Sequence, residues 1–125
     1  MSDPTFRPVI YLKEKCPFCM KVRIFLLESG MLDKVDLRDF APGTDQEQAI
    51  KAELEPNLEK VSFPAAQTAP GRYMTESDGI IGHFAKVAGA DPAKMPVLQA
   101  YVEGPFQSIM QLFRENMDLK KQLAS

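Results

Sequence analysis

The sequence predicts an α/β domain, a four-stranded mixed sheet flanked by helices, with a C-terminal helical extension. Three observations lead there. Val9-Ile10-Tyr11-Leu12 is an unbroken apolar run, as expected of a central strand covered on both faces. The only two cysteines, Cys16 and Cys19, stand where that strand should hand over to a helix. The elements after them read as strand, helix, hairpin and helix, followed by an amphipathic tail.

The 125 residues, 45% of them hydrophobic, suffice for one domain over 1–90, with 91–125 left as a linker and helical extension. A formal charge of -2 gives no electrostatic case for nucleic acid or an anionic membrane. Residues 1–5 lack the basic and apolar regions of a signal peptide, and no apolar run approaches the about 18 residues that span a bilayer. The expectation is a cytoplasmic protein, where Cys-x-x-Cys pairs are usually catalytic.

In order, residues 7–12 form the first strand and the Cys16 helix runs to about Ser29, with Val22, Phe25 and Leu26 inward and Gly30 as its stop. Lys34 to Phe40 alternates, with Val35 and Leu37 on one face, as a second strand parallel to the first. Ala41-Pro42-Gly43 turns, and Thr44 with Glu47 makes a capping box for a second helix with Ile50, Leu54 and Leu58 inward. Pro56 loosens or ends that helix.

A third strand begins at Ser62, Pro70-Gly71 turns, and residues 72–75 return as a fourth. Ser77 or Asp78 caps a third helix with Ile80, Ile81, Phe84, Val87 and Ala88 inward, His83 towards solvent and Gly89 at its end. Gly79 and Gly82 suggest close backbone approach near its start. After a linker, residues 97–123 form one long helix or two joined at Gly104-Pro105. Its stripe of Leu98, Val102, Phe106, Ile109, Phe113 and Met117 must be buried, and the expectation is that the tail lies near the third helix and pairs with a second copy through 97–123.

With Cys16 as N-cap and Pro17 as the first helical residue, the free N–H groups of Phe18 and Cys19 aim at the Cys16 sulfur. Cys19, one turn on, lies within disulfide reach. A thiolate is the nucleophile in thiol chemistry, and a free thiol with a pKa of about 8.5 is mostly protonated at neutral pH. The helix dipole contributes roughly 0.3–1 kcal/mol, short of the about 1.36 kcal/mol that lowers a pKa by one. Hydrogen bonds to sulfur and the cations Lys13, Lys15 and Lys21 are expected to supply the rest. Cys16 is therefore the candidate nucleophile and Cys19 the resolving thiol. A zinc site would need a second ligand pair that the chain does not offer beside His83, so no metal is expected.

This element order, with cysteines at the end of the first strand, matches the thioredoxin architecture. Residues 7–89 resemble a glutaredoxin or the N-terminal domain of a glutathione transferase. Cys16-Pro17-Phe18-Cys19 is similar to the glutaredoxin Cys-Pro-Tyr-Cys site. Lys13 holds the place of the lysine that meets a glutathione carboxylate. Ser62-Phe63-Pro64 resembles the Thr-Val-Pro segment, whose proline is cis in those families. Thr75-Glu76-Ser77-Asp78 resembles both the transferase Glu-Ser segment and the glutaredoxin Thr-Asp.

The resemblance implies a glutathione site of Lys13, Phe18, Phe63, Pro64, Glu76, Ser77 and Asp78. Lys13 would take the glycyl carboxylate, Ser77 and the helix N-terminus the γ-glutamyl carboxylate, Glu76 or Asp78 the ammonium, and the Phe63 backbone the cysteinyl unit. Read alone, Glu76-Ser77-Asp78 is an ordinary helix cap, and found with Cys16 and Pro64 in this order it favours the binding reading; Pro64 itself reads equally as a trans proline opening an edge strand.

The function implied is that of a glutathione-dependent thiol–disulfide oxidoreductase of the glutaredoxin type, with glutathione as co-substrate and glutathionylated or disulfide-containing proteins as partners. The alternatives are a glutathione transferase-like protein using Cys16, or a glutathione-binding module that bridges an iron–sulfur cluster or acts through its tail. Met74-Thr75-Glu76, where glutaredoxins carry paired glycines, leans towards the transferases. The absence of their full helical domain leans away.

Overall fold

A computed structural model describes residues 6–124, so the reading of residues 1–5 lies outside it. The first strand, β1 (Val9–Lys13), is the pivot of a four-stranded sheet ordered β2-β1-β3-β4. It pairs in parallel with β2 (Asp36–Phe40) and antiparallel with β3 (Ala65–Ala69), which in turn pairs antiparallel with β4 (Arg72–Thr75). The register sets Ile10 opposite Leu37 on one side and Ala66 on the other. β1 is thus central, as its unbroken apolar run requires.

Strand alternation divides the core into two layers. Ile10, Leu12 and Ala66 face α1 (Pro17–Glu28) and α3 (Ser77–Ala88), packing with Val22, Phe25, Leu26, Ile80 and Phe84. Tyr11, Phe40 and Ala65 face the opposite way, onto Ile50 and Leu54 of α2 (Asp45–Leu54). The single-residue step between Ile10 and Tyr11 thereby supplies both layers. Val35 is buried and Leu37 packs against the first layer, as expected.

Several boundaries and orientations differ from the sequence reading. β1 spans 9–13 rather than 7–12. β3 starts at Ala65 rather than Ser62, because Pro64 has no N–H to give a ladder; the Phe63-Pro64 peptide is cis. Thr44 Oγ1 accepts from the Glu47 N–H at 3.3 Å, but the Glu47 carboxylate returns to the Gly43 N–H at 2.8 Å, one residue outside the expected box. α2 ends before Pro56, and Leu58 reaches the core from the turn beyond it. In α3, Val87 is exposed and His83 is half-buried with its ring edge against Phe84. Gly79 meets only the Met74 methyl and Gly82 faces open space, so the expected close backbone approach is not what those glycines serve.

The extension consists of two helices, α4 (Pro96–Glu103) and α5 (Pro105–Ala124), broken at Gly104. Residues 90–96 are no free linker: Ala90 packs against the first core layer, and Met95 is buried in it with Leu98 of α4. α4 lies chiefly on α1 rather than beside α3. The reason is a remote cap. Met95 offers α4 no side-chain cap, and the Glu28 carboxylate, at the end of α1, accepts from the Val97 N–H at 3.1 Å and the Leu98 N–H at 2.6 Å.

This arrangement generates a prediction about stability. Glu28→Ala strips two amide donors of their acceptor, and loss of a cap costs about 1–2 kcal/mol. Urea unfolding should show that loss, with Glu28→Gln closer to wild type. An unchanged midpoint for Glu28→Ala would show that the cap contributes nothing.

Candidate functional site

Cys16 caps α1 from extended backbone, at φ -114° and ψ 118°, and Pro17 is the first helical residue. The Cys19 N–H donates to the Cys16 sulfur at 3.4 Å. The Cys19 sulfur is buried and accepts the Lys13 N–H at 3.3 Å, which ties the end of β1 to the first turn of α1. Neither cysteine is in a disulfide.

The geometry sorts the two sulfurs electrostatically. The Cys16 pKa is lowered to about 6, first by a hydrogen bond from the Cys19 side chain, then by the Cys19 and Phe18 N–H groups and the Lys13 charge, against partial burial. The Cys19 pKa is raised, because its thiol proton is held by the Cys16 thiolate and the group is buried. These shifts favour an ionised Cys16 sulfur at neutral pH, with Cys19 as its neutral hydrogen-bond donor.

Of the cations expected to help, Lys13 does so. Lys21 does not belong with it. Its ammonium is buried, 2.7 Å from Asp78 Oδ1 and 4.8 Å from the centre of the Phe106 ring. Lys13 itself stands 3.7 Å from Glu47 Oε2.

Cys16 sits between two clefts. On one side, a cleft of about 410 Å³ runs past Lys13, Lys15, Pro17, Lys51, Val61, Ser62 and Phe63. It shares Ser62 and Phe63 with a smaller hollow of about 180 Å³ formed by Phe18, Pro64, Glu76 and Ser77. On the other side, a cleft of about 660 Å³ is walled by Met20, Arg23, Asp39 and, from the extension, Tyr101 and Ile109.

Six of the seven residues expected to hold glutathione, Lys13, Phe18, Phe63, Pro64, Glu76 and Ser77, therefore line the clefts on one flank of Cys16. Asp78 does not. Its side chain is exposed and its carboxylate is engaged by Lys21. Neither Ser77 nor Asp78 is the N-cap: Glu76 holds that place without a side-chain cap bond, at φ 76°. An L-residue there costs about 1–3 kcal/mol, and such outliers concentrate at ligand sites. Ser77 follows as a buried first helical residue.

Sequence reasoning missed Tyr101, Lys51 and Met20. Tyr101 donates its hydroxyl to the Pro17 carbonyl at 2.7 Å, and its pKa is raised by burial and by the neighbouring cysteine sulfurs. Phe106 stacks edge-on against Phe18 at 5.3 Å and tilts over Tyr101 at 5.7 Å. No local signal marks Tyr101, whose partner lies 84 residues away. Among the described residues no cluster of His, Cys, Asp and Glu could hold a metal ion, and no helix is long and apolar enough to cross a membrane.

Comparison with known proteins bears on the family and the fold. The family model for the glutathione S-transferase N-terminal domain matches residues 10–92. Glutathione transferase Omega 3C from Trametes versicolor superposes with a TM-score of 0.53 at 22% identity, over 82% of this chain and 44% of that one. A glutathione S-transferase from the Antarctic clam Laternula elliptica superposes with a TM-score of 0.51 at 19% identity, over 67% of this chain and 36% of that one. These likenesses show the thioredoxin-like fold, and the chain spans less than half the length of either relative. No curated protein matches it. With the family model covering most of its length, the chain belongs to the glutathione S-transferase N-terminal domain family.

Proposed function

We propose that the chain is a glutathione-dependent thiol–disulfide oxidoreductase in which Cys16 carries the glutathionyl group. The carrying observation is the Cys16 sulfur, held near a pKa of about 6 at the α1 N-terminus in the cleft it shares with Ser62 and Phe63, two residues that also line the hollow of Pro64, Glu76 and Ser77. The Cys16 thiolate attacks the glutathionyl sulfur of a mixed disulfide, and the partner leaves as a thiolate that takes a proton. A glutathione thiolate then attacks that same sulfur, forming oxidised glutathione and restoring the Cys16 thiolate. In this scheme glutathione supplies the electrons. Cys19, buried and protonated, serves first as hydrogen-bond donor and only then as resolving thiol.

Glutathione would lie with its cysteinyl backbone along Phe63 and its γ-glutamyl carboxylate at Ser77 and the α3 N-terminus. Lys13 would take the glycyl end. The ammonium falls to Glu76, since Asp78 already has Lys21.

A second reading rests on the larger cleft. Its Met20, Tyr101 and Ile109 walls suit an apolar electrophile, to which a bound glutathione thiolate would be transferred. Turnover of an aryl halide that survives Cys16→Ser would favour it over disulfide exchange.

The decisive assay is reduction of a glutathionylated peptide with glutathione as electron donor. Cys16→Ser should lose about 100-fold or more, and Cys19→Ser should keep most activity, because a serine hydroxyl still donates to the Cys16 thiolate. Equal rates for wild type and Cys16→Ser would refute the proposal.

The pH dependence has a definite sign. A pKa lowered from the ordinary thiol range to about 6 means that Cys16 is ionised above pH 6 and protonated as pH falls through it. Iodoacetamide alkylation of Cys16 should therefore rise with a midpoint near pH 6. Since a hydrogen bond to a charged group is worth about 1.5–3 kcal/mol, Cys19→Ala should move that midpoint up by about one to two pH units. A midpoint above pH 8 in wild type would contradict the electrostatic account.

A further inference from the structure

From Gln111 to Ala124 every residue of α5 is exposed, and its apolar residues are not spread at random. Ile109, Leu112, Asn116, Leu119 and Leu123 recur at alternating steps of three and four, the spacing of the inner seam of a two-stranded coiled coil. The apolar members of that row are open to solvent: Leu112, Leu119 and Leu123 are 64%, 57% and 87% exposed, and Ile109 is 40% exposed.

We propose that this row docks a second copy of the same chain, as a short parallel two-stranded coiled coil over residues 109–123. The seam chemistry selects the occupant. Ile109 and Leu123 alternate with Leu112 and Leu119, and the β-branched-then-leucine order at Ile109 and Leu112 is the one that favours two strands. Asn116 falls midway along the seam. Such an asparagine meets its own counterpart across the two-fold axis of a parallel, in-register pair and fixes both register and strand number.

Charge complementarity points the same way. In that register Glu115 of one copy flanks the seam opposite Lys120 of the other, five residues further along, and the two-fold makes the pair twice. The surface area allows it. The chain exposes 8136 Å², whereas a compact chain of its 14.0 kDa mass exposes about 6,700 Å². A standard interface covers about 800 Å² on each partner, which fits within that excess.

The dimer bears on the thiol. Ile109 is both the first seam position and a wall of the larger cleft beside Cys16, so the parallel two-fold brings both clefts to the same end of the coil.

Light scattering of the full chain over a dilution series tests this, with a dimer expected at about 100 µM that dissociates on dilution. Leu112→Asp/Leu119→Asp should halve the mass while circular dichroism shows the sheet domain folded, since both side chains are exposed in the monomer. Glu115→Lys should weaken the dimer and Glu115→Lys/Lys120→Glu restore it. Strand direction is read from Leu123→Cys in a Cys16→Ser/Cys19→Ser background, oxidised with diamide. Parallel strands bring the two thiols together, whereas antiparallel strands hold them about 20 Å apart, beyond disulfide reach. A monomer at the highest concentration, a dimer indifferent to Leu112→Asp/Leu119→Asp, or failure to cross-link would each overturn the proposal, the first leaving the seam to a different protein.

Discussion

The structure turns on the sulfur of Cys16 serving as the N-cap of α1. A side-chain oxygen ordinarily fills that place, accepting from an amide that has no partner inside the helix. Here the acceptor is a sulfur that gains most from being an anion, so the cap is strongest when the residue is reactive. The Lys13 N–H to Cys19 Sγ bond fixes the turn from the β1 side, and Tyr101 to Pro17 fixes it from α4. Strand, helix and extension thus converge on Lys13, Cys16, Pro17 and Cys19.

The buried Lys21 shows how the extension is joined to the other flank. An ammonium taken out of water needs a partner, and removing one costs far more than an exposed ion pair is worth. Lys21 finds Asp78 at the first turn of α3 and the face of Phe106 from α5. The Asp78 side chain is exposed, so solvent screens the pair and little net stability comes from its attraction. What the pair fixes is position. It holds α1 beside the turn of Glu76 and Ser77, and the ring of Phe106 closes over the same ammonium.

Much of this was legible locally. The apolar run of β1, the Cys-Pro-Phe-Cys transition, the Thr44 cap and the Pro70-Gly71 hairpin all speak through periodicity and backbone chemistry within a few residues. The roles that were misread or missed depend on distant partners. Lys21 looks like one more cation near Cys16 until α3 and α5 are in place. Glu28 looks like an ordinary last-turn glutamate, and its two amide partners lie 69 and 70 residues downstream. Ser77 and Asp78 both suit an N-cap by type, yet the positive φ of Glu76 moves the helix start and puts Ser77 inside.

The tail shows the same contrast within one helix. The sequence reads a single stripe from Leu98 to Met117, and Gly104-Pro105 divides it into parts with different environments. Leu98 is buried because α4 lies flat on α1, while Val102 and Phe106 are partly covered where the chain turns away. Past Met110 the axis has left the domain, and no periodicity in α5 can bury a residue against a surface that is no longer alongside. Phe113 and Met117 consequently stay 58% and 45% exposed despite continuing the stripe. The apolar arc is wide enough to carry two rows. One begins with Phe106 against Phe18 and Tyr101, and the other runs outward from Ile109. Ile109 belongs to the outer row while still lining the cleft beside Cys16, so the thiol and the free face of the tail share a boundary at that side chain.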